Sequence, residues 1–368
     1  MNIDISKLEL DNSVIDFIKT KEPNIDFDNF NEKGSNGLLL FGHHKLLKKR
    51  IALKFYYYEN GIHEEVTLLA TIKNDNILPI LDAGIIDENN AFFMTEEVCA
   101  GDLDELISSN RKSYQQAIEI TRGILNGLVE MHSSKNKLLH RDLKPANILL
   151  AQNNTPLIAD FGSVKRIPDD ADGVNGSRHA ALYRPPEAYE NFYTYSSDIY
   201  QVGLVLYQLL GGYLPYEEKA YLNKKQKIKF DKLPSSYDKS KYVDSIIFDL
   251  SKKGKLIDLN SLPPFVDEKL KSIIRKATQP NFLKRYKTCS IFIHALHEFG
   301  LGEDWIHSFD FGYRLDIDGK TYRIERQNNG KYACMKSTDD GSTWRREAGV
   351  ADNSEHKVIY DLKNKIRK

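Results

Sequence analysis

At 368 residues the chain is long enough for two or three domains of ordinary size. Its 52 Lys+Arg balance 52 Asp+Glu, which excludes a general electrostatic pull toward nucleic acid or an anionic membrane, and no nucleic-acid or membrane partner is expected. Cys99, Cys289 and Cys334 are far apart and lack C-x-x-C spacing, so they read as reduced thiols of a cytoplasmic protein rather than a disulfide framework or a cysteine metal site.

Residues 1–25 read as an N-terminal extension, with no basic leader before an apolar run and no Met-Gly start. Gly34 and Gly37 then lie in a loop ahead of the strand-like Ile51-Ala52-Leu53-Lys54; glycine there lets backbone N–H groups approach an anion that a side chain would hold off. Glu65 opens an apolar-periodic run to Ile72, and Ala91 to Thr95 reads as an apolar strand leading into Glu96-Glu97-Val98-Cys99-Ala100-Gly101-Asp102. Next comes His140-Arg141-Asp142-Leu143-Lys144-Pro145-Ala146-Asn147, followed by Asp160-Phe161-Gly162. Two carboxylates, an ammonium and an amide thus fall on two short segments, the residue types that take a hydroxyl proton, neutralise phosphate and hold a hard cation through oxygen.

Tyr183-Arg184-Pro185-Pro186-Glu187 precedes the longest apolar segment, Ile199 to Leu210. That segment carries Gln201 and Gln208 and is shorter than the ~20 residues that span a bilayer, so it reads as a buried helix. Residues 217–262 are lysine-rich, densest at Lys224-Lys225-Gln226-Lys227-Ile228-Lys229; this is either a contact for an acidic substrate or partner, or a solvated face. Beyond residue 300, Asp318-Gly319, Asn329-Gly330 and Asp340-Gly341 separate alternating runs, the pattern of a β-meander, and Val358, Ile359, Leu362 and Ile366 give a closing helix one apolar face. Ser337 to Trp344 resembles the S-x-D-x-G-x-x-W hairpin of sialidase-type propellers. One copy in ~60 residues cannot build a propeller, so it is read as a self-bonded turn in preference to a glycan site.

The H-R-D-L-K-P-x-N and D-F-G segments, at this spacing, resemble the protein kinase family, and the first is similar to the Ser/Thr branch. The resemblance covers roughly residues 26–300. It implies an α+β, bilobal fold: a β-rich N-lobe (26–95), a hinge (96–101) and an α-rich C-lobe (102–300), with residues 301–368 appended as an interaction or regulatory module. It also implies ATP and Mg²⁺ as cofactors and a protein as substrate. Asp142 takes the proton of the incoming hydroxyl, Lys144 neutralises the transferring group, and Asn147 and Asp160 hold the metal. Lys54 pairs with the α- and β-phosphates and with Glu65, Glu64 being one position out of register. Gly34 and Gly37 keep the second and third glycines of the phosphate loop, while Glu32 stands in place of the first. Leu39, Ala52 and Leu149 would contact the nucleotide, Glu96 and Val98 would read adenine through the main chain, Asp102 would meet the ribose, and Thr95 would be the gatekeeper. Phe161, His140, Leu69 and Ile80 would stack between the lobes, Arg285 would pair with Glu187, and Asp198 would anchor the catalytic loop.

Arg141, joined by Lys165, calls for an anion to order the segment after Asp160-Phe161-Gly162. A phosphate on Ser177 would supply it, or one of Asp169, Asp170 and Asp172. Ala180 stands where most Ser/Thr kinases carry a threonine. The function implied is transfer of the γ-phosphate of ATP to a protein serine or threonine, with autophosphorylation. Two alternatives stay open: a nucleotide-binding pseudokinase acting as scaffold or sensor, and a small-molecule kinase on the same fold. Intact Asp142, Asn147 and Asp160 weigh against the first, and Tyr-Arg-Pro-Pro-Glu, which shapes a peptide-docking ledge in the family, against the second.

Overall fold

The computed structural model describes residues 3, 10–31, 38–57, 64–109, 111–174, 181–299, 303–308 and 312–366. Helix α1 (Asn12–Lys21) leads into strands β1 (Ile25–Asn31), β2 (Leu39–His44) and β3 (Lys49–Tyr57), helix α2 (Glu64–Thr71), and strands β4 (Ile80–Ile85) and β5 (Asn90–Glu96). The five strands form one antiparallel sheet in the order β1-β2-β3-β5-β4. Alternation along β3 sorts its side chains: Ile51, Leu53 and Phe55 belong to one apolar cluster, whereas Tyr56 joins the main core on the other side. The first cluster is covered by α1, whose Val14 and Ile18, one turn apart, are buried and whose Phe17 packs on Phe92 at 4.4 Å. Polar ties fix its ends, Lys21 to Asp82 at 3.0 Å and the Asn90 amide to Asp11 at 3.0 Å. Helix α1, within the residues read as an extension, thus packs as a layer of the sheet lobe.

The second lobe starts with α3 (Leu103–Ser108), β6 (Arg111–Ser113) and α4 (Tyr114–Met131), then the short strands β7 (Leu138–Leu139), β8 (Ile148–Leu150), β9 (Pro156–Ile158) and β10 (Lys165–Arg166). Helices α5 (Tyr195–Leu209), α6 (Lys224–Asp231), α7 (Ser236–Lys252), α8 (Glu268–Ala277) and α9 (Cys289–Phe299) follow. Helix α5 is buried from Ser197 to Leu209, the central placement its apolar run requires. The lysine-rich segment is folded: α6 opens on a capping box, Asn223 with Gln226, and α7 on the Ser235 cap.

The remaining chain forms β11 (Trp305–Ser308), β12 (Gly312–Ile317), β13 (Lys320–Arg326), β14 (Tyr332–Ser337), β15 (Arg345–Asp352) and α10 (Glu355–Ile366). The expected meander is present, with left-handed backbone at Asp318-Gly319 and Asp340-Gly341 as such turns require. In the Ser337 turn, the Ser337 hydroxyl accepts from Gly341 N at 2.9 Å and an Asp339 oxygen accepts from Thr343 N at 2.9 Å, so its polar groups are spent on the turn itself. The sheet does not end at the module, because β6 of the second lobe pairs with β11 and completes the order β15-β14-β13-β12-β11-β6. Asp304 reinforces the seam by accepting from Ser113 Oγ at 2.8 Å and Gln115 N at 3.0 Å, beside the start of α4. Trp305, 1% exposed, lies parallel to Phe265 at 5.9 Å, and one apolar core runs from Leu125 through Phe265 to Leu315 and Val358. Among the described residues no helix is long and apolar enough to cross a membrane.

Candidate active site

Residues 140–147 follow β7 and pass through a single 3-10 turn, Pro145–Asn147, with proline at its start where no donor is lost. The fixed point beneath them is Asp198 in the first turn of α5. Its two oxygens accept from His140 N and Arg141 N, each at 2.9 Å, and one accepts from His132 Nε2 at 2.8 Å. Burial opposes ionisation of this carboxylate, but the His132 bond and charge outweigh it and hold the pKa below the ordinary value. Gln201, one turn further along α5, accepts from Leu143 N at 3.0 Å and donates to Arg141 O at 3.0 Å. These four main-chain bonds let Arg141 sit at φ +69°, a conformation that costs a non-glycine residue on the order of 1–3 kcal/mol unless its surroundings enforce it.

On this support, one Asp142 oxygen accepts from Lys144 Nζ at 2.9 Å and from Asn147 Nδ2 at 2.9 Å. Asn147 Nδ2 also donates to Asp142 O at 2.7 Å, so the amide is locked and its oxygen is left for another partner. The β8–β9 hairpin carries the second segment alongside: Ile148 pairs with Ile158, and Ala159 N donates to Asn147 O at 2.9 Å. His140 Nε2 bonds Ala159 O at 2.9 Å, and the chain then turns through Asp160 at φ +57°. That turn aims the Asp160 carboxylate at Lys54 Nζ on β3, with which it forms an ion pair. Burial pushes the Asp160 pKa up, and the Lys54 charge and hydrogen bond more than reverse this, so the group is held ionised. Asp142, Lys144, Asn147, Asp160 and Lys54, drawn from three separate stretches of chain, are thereby brought together.

Of the side chains expected to stack between the lobes, Phe161 and His140 are in contact. Phe161 is 2% exposed, packs against His140 at 6.3 Å, and shares the core with Leu69 and Ile80. Phe93, not foreseen, joins it at 6.0 Å. Leu39 opposes Lys54 and Ala52 opposes Thr95 in the sheet, which lines Ala52 up with the buried Thr95. Below, Leu149 bridges Asp102, Leu150 N donates to Gly101 O at 2.9 Å, and Val98 packs on the core. Asp102 is also the cap of α3, accepting from Glu105 N at 3.0 Å, and Glu96 pairs with Lys49. Gly34, Gly37, Ser177 and Ala180 lie outside the described residues, and so does the side chain of Glu65, whose backbone belongs to α2. Arg141 is buried, with Nε donating to Ser163 O at 2.6 Å and its guanidinium 6.0 Å from the Tyr193 ring; Lys165 lies in β10 opposite Leu139. Asp169 pairs with Lys137 at 3.0 Å.

Glu187 and Arg285 form the expected pair, bidentate at 2.7 and 2.8 Å and buried. The stretch from Arg184 to Tyr189 is held by a residue that sequence reasoning passed over. Asp244 on α7 accepts from Tyr189 Oη at 2.7 Å and Arg184 Nη1 at 3.3 Å, and Tyr189 stacks on Phe248 at 4.3 Å. Gln201 and His132 were missed as well. The available signal for Gln201 was a glutamine three residues after Asp198 in an otherwise apolar, buried helix, a position that demands a bonded partner.

A family model of the protein kinase domain matches residues 33–296. Similar proteins include the serine/threonine-protein kinase STK11 of Rattus norvegicus, 29% identical over 181 residues (47% of this chain, 41% of that protein). Others are par-4 of Caenorhabditis briggsae, 28% identical over 222 residues (56% and 33%), and the probable serine/threonine-protein kinase CPE1738 of Clostridium perfringens, 32% over 159 residues (42% and 22%). The chain belongs to the protein kinase family, and these relatives are of its serine/threonine branch. The matches span less than half the length of each of these curated relatives. Protein kinase domains in general use ATP and a divalent metal.

Proposed function

We propose that this protein is a serine/threonine protein kinase that moves the γ-phosphate of ATP to a protein hydroxyl with the help of Mg²⁺. The observation that carries the reading is the hydrogen-bonded group of Asp142, Lys144 and Asn147 beside an ionised Asp160 paired to Lys54. The donor set suits a hard cation: the Asn147 carbonyl and the Asp160 carboxylate are both oxygen donors and would hold Mg²⁺. Among the described residues no cluster of three or more His, Cys, Asp or Glu offers a rival metal site. When bound, ATP and Mg²⁺ supply the transferable phosphoryl group and neutralise its charge.

The chain's own residues do the rest. Asp142 accepts the proton of the substrate hydroxyl as it attacks, held in place by the Asn147 amide, and the Lys144 ammonium offsets charge on the transferring oxygens. Lys54 keeps Asp160 ionised and would bind the phosphate oxygens of a nucleotide. Asp198 and Gln201 supply the rigidity, since a 1 Å drift of Asp142 would cost on the order of 100-fold in rate. Gly34, Gly37, Leu39, Ala52, Glu96, Val98, Asp102 and Leu149 are the proposed nucleotide contacts, with Glu65 as second partner of Lys54. Arg141 and Lys165 would respond to a phosphate on Ser177. The appended module is a fixed face for a partner, its sheet being continuous with the catalytic lobe through β6.

The test is transfer of label from γ-labelled ATP and Mg²⁺ to the protein itself or to a generic protein substrate. Wild type is expected to transfer and Asp142→Asn to be silent while still binding nucleotide. Two silent proteins that both bind nucleotide would replace this reading with a pseudokinase, and label on a metabolite alone would replace it with a small-molecule kinase.

A further inference from the structure

Helix α6 presents Lys224, Lys225 and Lys227 to solvent, and none of the three has an ion-pair partner among the described residues. The acid of the helix, Asp231, is already occupied by Lys219 at 2.8 Å. Amid these lysines Ile228 is 60% exposed, one helical turn from Lys224 and Lys232, while Phe230 faces inward as the helix's anchor. An uncompensated cationic rim around one exposed aliphatic side chain, on a protein of zero formal net charge, is a surface with a preferred partner.

Its position supplies the purpose. Helix α7 is shared between α6 and the ledge of the catalytic lobe. On one side Lys229 lies 4.8 Å from the Tyr242 ring, Lys239 lies 5.6 Å from Phe230, and Ser240 Oγ donates to Glu218 at 2.9 Å. On the other, Asp244 and Phe248 hold Arg184 and Tyr189. Tyr242 and Asp244 are two residues apart and so lie on opposite faces of α7, which puts α6 and the ledge across one helix diameter, ~10–12 Å, a gap that three or four extended residues span.

We infer that α6 is a docking platform for a protein substrate carrying an acidic segment with one aliphatic residue, seated on Lys224, Lys225, Lys227 and Ile228 while its hydroxyl residue reaches Asp142. That the partner is a substrate rests on the kinase reading above. Acidic protein is favoured over an anionic bilayer because α6 is polar around its circumference and offers a single outward aliphatic residue, where membrane-lying helices need a broad apolar face.

The experiment is fluorescence anisotropy, without ATP, of a labelled serine peptide bearing a Glu/Asp run and one leucine, beside the same peptide with Gln/Asn in place of the acids. Wild type is expected to bind the acidic peptide at least ~10-fold more tightly, to lose that margin as salt rises, and to lose it in Lys224→Glu/Lys225→Glu/Lys227→Glu. Ile228→Ser tests the aliphatic contact separately and is expected to weaken the acidic peptide alone; unchanged circular dichroism and melting show that each variant is folded. Equal affinity for the two peptides, or an acidic-peptide affinity indifferent to the triple reversal, overturns the proposal. So does binding of the wild type to phosphatidylserine vesicles but to neither peptide. Wild type that binds the acidic peptide yet transfers no phosphate in the labelling assay overturns the kinase reading and leaves the docking surface standing.

Discussion

Replacing Glu187 by alanine strands a buried cation. The Arg285 guanidinium has five N–H donors, and all are used: two on the Glu187 oxygens at 2.7 and 2.8 Å, and three on the carbonyls of Gln279, Ser196 and Pro280 at 2.7, 2.9 and 3.2 Å. Its side chain is fully buried and lies 4.7 Å from the Tyr200 ring, so water does not reach it to replace the lost carboxylate. Removing one member of such a pair costs ~3–5 kcal/mol, a large share of the ~5–15 kcal/mol that stabilises a domain. In urea denaturation the loss should appear as a lower midpoint at unchanged slope, and in thermal melting as a drop of roughly 4–7 °C. Glu187→Ala/Arg285→Met removes both charges and is expected to be more stable than the single variant, because the cost resides in the unpaired ion. A single-variant loss under ~1 kcal/mol, or a double-variant loss equal to the sum of the two singles, would show that no unpaired buried charge is left behind.

Asp244→Asn leaves shape intact but weakens the hold on Arg184 and Tyr189; a loss of ~1–2 kcal/mol and a raised peptide KM are expected from denaturation and steady-state kinetics. Trp305→Ala should cost ~3–5 kcal/mol, with melting of the catalytic lobe lowered as well, because Trp305 and Phe265 belong to one core; a separate, unshifted transition for that lobe would contradict it. Burial opposes charge on His132, yet the neighbouring Cys289 sulfur and the Asp198 carboxylate outweigh it and its pKa is pushed up to about 10. A raised folded pKa gives stability present below the ordinary histidine value of ~6.5 and lost as pH rises through about 10, so the alkaline fall in melting temperature should be shallower in His132→Leu. Lys54→Met is expected to abolish transfer and to reduce the melting shift given by nucleotide, both read in one titration.

The candidate site was legible because its members sit in three short segments whose residue types and spacing resemble those of a known family. The pairing of Glu187 with Arg285 and the anchoring by Asp198 join residues far apart in the chain, and only the family resemblance implied them. What escaped was carried by long-range packing. Arg111 to Ser113 has three polar residues and no alternation, so nothing local marks it as a strand; it becomes one because β11 arrives beside it. Helix α1 went unread within the extension, because the surface that Val14 and Ile18 cover belongs to a sheet that forms later in the chain. Asp244 looked like one more charge on a solvated helix, and only the approach of Tyr189 and Arg184 gives it a role.

The central claim is a geometric one, tested most directly by a crystal structure of the protein with a non-hydrolysable ATP analogue and Mg²⁺. A metal is expected at ~2.1 Å from the Asn147 amide oxygen and an Asp160 oxygen, with Lys54 on the phosphates and the Asp142 carboxylate facing the terminal phosphoryl group. Nucleotide bound away from these side chains, or a metal held without Asn147 and Asp160, would contradict it.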